Sequence, residues 1–331
     1  MKRIVEDIKS GQFSNVYLLT GQEAYLRKQY RDNLKNALVA PEDTMNLAVF
    51  GGKDINANEV IDLAGTMPFF AQRRVIIIEN SGWLKSGNDR LVEFMKSMPE
   101  TTYLIFVEEE VDKRSKLYKA IASKGYVASC DTPDETTLKK WIMGLFKKEN
   151  KGITADALTV LLDRTGTDME NIRREVEKLV CYKYYDEGIT AKDVEELCTV
   201  RIQNKIFDMV EAVADKKQKQ ALDLYYDLLA LKEAPMKILA LISRQFNLLL
   251  QVREMKLKGY DEGTIAQRTG LNPYFLKKKY LPQAARFKVE QLREALKSCV
   301  EAEEAVKTGR MTDLLSVELI IVGLSMGGEK R

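Results

Sequence analysis

A chain of 331 residues exceeds one ordinary hydrophobic core, and at roughly 100–200 residues per domain it divides into two or three. Hydrophobic residues make up 45% and charged residues 31%, with a net charge of +3: globular composition whose mild basic bias permits a nucleic-acid partner without arguing for one. Histidine is absent, so Ser-His-Asp, Cys-His and histidine–metal chemistries are excluded together, and any catalysis falls to carboxylates, lysines or a phosphate-binding loop.

The opening MKRIVEDIKSGQ lacks the apolar stretch of a secretory signal. Residues 16–20, VYLLT, form a short apolar run closed by Gly21, and Tyr25, Leu26, Tyr30, Leu34 and Leu38 then recur at helical spacing. Strand, glycine, helix is the opening of an α/β nucleotide-binding layout. A working phosphate loop reads G-x-x-x-x-G-K-[ST], because backbone amides cradle the phosphates, the lysine binds them and the hydroxyl holds magnesium. Here TGQEAYLRKQY offers one glycine and no Lys-Ser/Thr pair, while Gly52-Lys53 is followed by Asp54 at the wrong spacing. No cofactor and no metal are expected.

Residues 56–67 place Val60, Leu63, Ala64 and Met67 on one helical stripe, with Asn56 or Asn58 as cap, and Pro68 stops that helix. Phe69 and Phe70 follow directly. Neighbouring side chains diverge on helix and strand alike, so two adjacent rings do not readily share one core face. The apolar run 75–78, VIII, predicts a buried strand and ends in Glu79-Asn80 rather than an Asp-Glu pair for magnesium. A helix over 86–99, a strand over 103–107, a solvated loop at Glu108, Glu109 and Glu110, a helix over 113–125 and a strand over 126–130 complete the alternation. Such alternation predicts a parallel sheet covered on both faces.

At Thr132 the pattern turns wholly helical, and no further strand is predicted. Thr132 with Glu135 and Thr167 with Glu170 have capping-box spacing, with Pro133 at a first helical position. Three short helices up to about residue 204 read as a small bundle, and longer helices follow from about Ile206. Residues 235–257 are apolar over more than half their circumference, which fits a central helix or an interface between subunits. GYDEGTIAQRTGLNPYFLKKKY has the cadence of a helix-turn-helix, with Lys277, Lys278 and Lys279 able to meet phosphate; a helical hairpin with a solvated lysine face is the favoured reading. Only GGEKR at 327–331 reads as a disordered tail. The carboxylates Asp208, Glu211 and Asp215 read as ordinary surface, and Trp141 as packing. The four cysteines stand far apart with no C-x-x-C, and read as buried thiols of a reducing cytosol, so a cytoplasmic protein is expected; no window has the length and apolarity of a membrane span.

Taken together, VYLLTGQEAYL, TMPFFAQRRVIIIEN, YLIFVEEEVDKRSKLYKAI, GTDMENIRREVEKL, IFDMVEAV and PMKILALISRQFNLLL resemble, in order and spacing, the delta-subunit family of bacterial DNA polymerase III, over essentially the whole length. The resemblance implies an AAA+-like α/β domain over 1–134 with a RecA-type parallel sheet and no functional phosphate loop. It also implies a three-helix lid domain over 135–204 and an all-α collar domain over 205–331 that assembles with other clamp-loader subunits. It implies a protein without catalysis of its own, grouped with DNA-directed DNA polymerases only through the holoenzyme, that grips the sliding clamp (beta) and holds one clamp interface open for loading onto primed DNA. The family's hydrophobic plug falls on Phe69 and Phe70, with Met67 and Pro68 beside them. Arg73 and Arg74 would form a charged rim, or simply begin a solvated strand. Arg173 and Arg174 stand near where a lid arginine would reach a nucleotide in active relatives, and read as lid surface or as contacts with neighbouring subunits. Two other readings stay open: an active AAA+ ATPase, and a DNA-binding regulator built on the helix-turn-helix-like segment. The rings themselves could also pack beneath the sheet.

Overall fold

A computed structural model describes residues 2–199 and 202–326, apart from the Gln203 side chain; the 327–331 tail lies outside the described residues. The chain forms two compact units, Met1–Pro133 and Asp134–Arg331.

The first unit runs α1 (Lys2–Ser10), β1 (Val16–Thr20), α2 (Ala24–Leu38), β2 (Leu47–Gly51), α3 (Ala57–Gly65), β3 (Arg74–Glu79), α4 (Trp83–Ser86), α5 (Asp89–Ser97), β4 (Thr102–Glu108), α6 (Lys116–Lys124) and β5 (Tyr126–Ser129). The five strands are all parallel in the order β2-β3-β4-β1-β5. Alternation along the strands sends Val16, Leu18, Ile76, Ile78, Leu104 and Phe106 to one face, where they pack with Val60 and Ala64 of α3, Leu91 and Met95 of α5, and Leu117 and Ile121 of α6. Alternate positions face the other way, towards α1 and α2. Both faces are covered, which is why the central strands read as continuous aliphatic runs. The sheet is parallel and covered on both faces, as the strand–helix alternation predicts, and the fold is AAA+-like α/β, as the family resemblance implies. Three elements are additional: α1, the short α4, and β2, an edge strand whose Val49 is exposed.

The second unit begins with α7 (Glu135–Lys148), β6 (Gly152–Ile153), α8 (Ala155–Thr165), α9 (Met169–Tyr182), β7 (Gly188–Ile189) and α10 (Ala191–Leu197). It continues through α11 (Ile202–Ala214), α12 (Gln218–Ala230), α13 (Pro235–Leu257), α14 (Glu262–Thr269), α15 (Pro273–Phe275), a π turn over Leu276–Tyr280, α16 (Leu281–Ala285), α17 (Val289–Lys307) and α18 (Asp313–Met326). The wholly helical expectation needs one correction: β6 and β7 pair in parallel through Gly152–Gly188 and Ile153–Ile189, two residues each and too short for any periodicity to announce. The caps differ as well. Asp134, not Thr132, caps α7 by accepting from the Thr137 amide at 2.7 Å, which leaves Pro133 outside the helix. Asp168, not Thr167, caps α9 by accepting from Asn171 at 3.0 Å. In both places an aspartate close behind the threonine is the stronger cap.

α13 is a central helix. Ile238, Leu239, Ile242, Phe246, Leu249 and Val252 are buried, and it packs against α11, α14, α16, α17 and α18. The cysteine reading holds for Cys130, Cys198 and Cys299 but not for Cys181, which is exposed on α9. No helix among the described residues is long and apolar enough to cross a membrane.

Candidate functional site

The Phe pair sits where α3 hands over to β3. Asn56 caps α3 at its start, and the helix stops at Gly65, two residues before Met67, with the Thr66 amide and hydroxyl both returned to the Leu63 carbonyl. Thr102, at the start of β4, donates its buried hydroxyl to the Ala64 carbonyl at 2.8 Å and ties the last turn to the sheet. The chain then turns through Pro68 and leaves three large apolar side chains in solvent: Met67 is 71% exposed, Phe69 56% and Phe70 95%. The two rings meet edge to face with centroids 4.6 Å apart. Phe70 has φ +50°, a left-handed conformation that costs a non-glycine residue about 1–2 kcal/mol. Neither ring packs beneath the sheet.

Backbone hydrogen bonds hold this corner. Asn46, buried just ahead of β2, accepts from the Phe69 N–H at 2.6 Å and donates to the Phe69 carbonyl at 2.9 Å. The same amide nitrogen donates to both oxygens of Asp43. The Asp43 carboxyl is held below its usual range, chiefly by the Asn46 side chain, then by the amides of Asn46 and Met45 and by the charge of Arg74. Sequence reasoning missed Asp43, Met45 and Asn46; the visible signal is EDTMN, where an aspartate able to accept from the following amides makes a turn.

The arginines need correction. Arg74 is buried, not a rim: its guanidinium donates to the Met67 carbonyl at 3.0 Å from inside. Arg73 is half-buried, stacked over Phe13 and Tyr103 with its charge 5.0 and 5.7 Å from their ring centres. Arg74 braces the corner from within, while Arg73 packs on rings outside it.

The nucleotide place is closed by the chain itself. In this strand order a ligand would sit beyond the carboxyl ends of β1 and β4, where the connections diverge. There the Gly21 amide donates to the Glu109 carbonyl, the Arg27 guanidinium donates to the Gly21 carbonyl, and the Glu23 amide donates to the Cys130 carbonyl at 2.8 Å. A Cβ at Gly21 would lie 2.5 Å from the Cys130 carbonyl carbon, at a φ of +134°. The amino end of α2 is capped by the Glu23 carboxylate, which accepts from Tyr25 and takes the place a phosphate would occupy. Glu79, closing β3, pairs with Arg31. Glu108 is a further correction: it is buried, and accepts from the Ser81 amide and hydroxyl at 2.8 and 2.5 Å, while Glu109 and Glu110 are exposed. Among the described residues no group of three or more Cys, Asp or Glu is placed to hold a metal ion.

Of the lysine triplet, Lys277 is exposed on the π turn, whereas Lys278 pairs with both oxygens of Asp163 and with the Tyr274 hydroxyl. Lys279 lies over the rings of Phe207 and Phe275. Two of the three charges are thus engaged by their own unit, as a hairpin requires and a phosphate-reading helix does not. On α9, Arg173 is exposed and pairs with Glu177, and Arg174 is exposed.

These features define an AAA+-like α/β domain whose phosphate site is sealed, carrying a pinned aromatic corner and followed by helices. Comparison with known proteins agrees. The family model for the delta subunit of DNA polymerase III matches residues 17–131, and the model for the C-terminal domain of the same family matches 203–324. DNA polymerase III subunit delta of Bacillus subtilis is 28% identical across 98% of this chain and 97% of its own. A probable DNA polymerase III subunit delta of Aquifex aeolicus is 23% identical across 80% and 78%. Among solved structures, the Bacillus subtilis DNA clamp loader delta protein superposes with a TM-score of 0.80 at 28% identity, covering 98% of this chain and 99% of that one. The chain belongs to the DNA polymerase III delta-subunit family.

Proposed function

We propose that this protein is the clamp-gripping subunit of a replicative clamp loader, and that Phe69 and Phe70 enter an apolar pocket on the sliding clamp and hold one clamp interface open. The observation that carries this is a pair of solvent-facing rings on a backbone pinned at Phe69 and strained at Phe70. A hydrophobic pair kept in water by internal bonds is preorganised for a partner. Fully burying a phenylalanine contributes about 1.5–3 kcal/mol, enough for the pair to anchor an interface, with Phe70 gaining more because less of Phe69 remains to be covered. Met67 and Pro68 extend the plug.

Opening needs no bond-making. A ligand that binds the open clamp better shifts the population towards open by no more than that difference in affinity. With its own phosphate site sealed, the protein takes its motion from nucleotide-driven neighbours in the loader. The helical lid over 135–204 and the collar over 205–331 are the proposed divisions of the second unit. The exposed Leu314, Leu315, Leu319 and Met326 of α18 give the collar an apolar face for a neighbouring subunit. Primed DNA is met in the assembled loader.

The test is binding of the purified sliding clamp by wild type and by the Phe69→Ala/Phe70→Ala variant, with folding checked by circular dichroism. Loss of at least about a hundredfold in affinity is expected, and undiminished binding by the folded double variant sinks the assignment.

A further inference from the structure

We infer that Asn46 is the positioning residue of the clamp-gripping corner, setting the aim of Phe69 and Phe70 through the Phe69 backbone. This rests on the function proposed above and deepens it.

Asn46 is only 1% exposed and lies 23 positions upstream of the residue it holds. Its side chain binds both backbone groups of Phe69, as a neighbouring β-strand would: Oδ1 accepts the N–H and Nδ2 donates to the carbonyl. The primary amide fits this task in one orientation only. Nδ2 has two hydrogens, and the second is directed at the Asp43 carboxylate. A flipped amide would turn its NH2 towards the Phe69 N–H and its oxygen towards two acceptors, so Asp43 fixes which way Asn46 faces. Asn46 is itself anchored, because its carbonyl accepts from Val75 in β3 at 2.8 Å and its amide donates to Asp43 at 3.0 Å. The aim of the rings is therefore referred to the edge of the sheet and not left to a free loop.

Two further features fit a positioning role. Phe70 keeps a left-handed backbone although its side chain is almost wholly in solvent and meets the neighbouring Phe69 ring edge to face, so burial in the body of the domain does not enforce that conformation. Two holds just upstream, Asn46 on both backbone groups of Phe69 and Arg74 on the Met67 carbonyl, fix the chain that leads into it. Aspartate could accept from Phe69 but not donate, and alanine could do neither. Either substitution frees the Phe69 carbonyl and lets the corner sample other backbone states, which lowers the binding-competent fraction and raises the apparent Kd in proportion.

The experiment measures clamp association and dissociation for the full chain carrying Asn46→Ala or Asn46→Asp, in the wild-type and in the Phe69→Ala/Phe70→Ala backgrounds. In the wild-type background either change should weaken clamp binding about tenfold, mainly through slower association. In the background without rings, Asn46→Ala should leave the residual affinity unchanged. An equal loss in both backgrounds, or wild-type affinity in a folded Asn46→Ala protein, overturns the inference. Full clamp binding by the ring-less protein instead overturns the parent reading, and this one with it. A second measurement needs no variant: the Phe69 amide should exchange with solvent deuterium slowly beside a fully exposed neighbour, and fast exchange overturns the proposal.

Discussion

Arg31 and Glu79 meet at 2.6 Å, joining α2 to the carboxyl end of β3. Active nucleotide sites of this layout keep a carboxylate free there for magnesium. Here the carboxylate is spent on an internal guanidinium, which also contacts Asp32 at 2.7 Å. With Glu23 capping α2 and Gly21 packed on the Cys130 carbonyl, phosphate would have to displace charge and backbone together. Calorimetric titration with magnesium-ATP should show no saturable heat up to millimolar nucleotide. Glu79→Gln should not restore it, because the loop still lacks a cradle. Micromolar magnesium-dependent binding would contradict this.

Phe70 separates recognition from folding. Its ring is in solvent and its φ is +50°, so Phe70→Asn removes the ring and installs a residue that accepts the left-handed region more readily. Thermal unfolding should be unchanged or should improve by up to about 1 kcal/mol, while clamp binding falls. A clear drop in unfolding midpoint would mean that the ring supports its own domain.

The fold was legible wherever burial is continuous. The runs around 16–20, 75–78 and 103–107 sit in the middle of the sheet with both faces covered, and their aliphatic character follows directly. LAVFG at β2 escaped because it is an edge strand, with Val49 and Gly51 exposed and therefore free of the pattern. The aromatic corner was legible because proline and adjacency are local facts. Its support was not, since Asn46 acts across 23 residues and only the folded sheet brings it to Phe69. Arg73 and Arg74 misled for the same reason: next to an exposed plug, charge suggests a rim, but strand geometry carries one inward and lets the other stack on Tyr103.

A polar chain inside the second unit was equally invisible, because α13 reads as apolar. Gln283 of α16 donates to the Phe207 carbonyl at 3.1 Å and accepts from Gln245 of α13 at 2.7 Å, with both glutamines buried. Gln283→Leu leaves the Gln245 amide buried without an acceptor and should destabilise by about 1–3 kcal/mol in urea unfolding. Gln245→Leu/Gln283→Leu removes both partners and should recover most of the loss. If the double variant is instead the sum of the two singles, the glutamines do not act as a pair.

The cysteines give a check on burial that is independent of any partner. Burial pushes the Cys130 thiol up to about 11 and those of Cys198 and Cys299 up to about 12, because removing water penalises the thiolate. Reaction with a disulfide reagent needs the thiolate and access to it, and these three side chains offer neither at neutral pH. Cys181 is exposed on α9 and has access. An aromatic disulfide reagent at about pH 7.5 should therefore release one equivalent quickly from the folded protein and three more only after denaturant is added. Raising the pH to about 9 should still leave the other three slow in the folded protein, since the buried groups remain protonated. Release of two or more fast equivalents from folded protein would place one of the buried thiols at the surface.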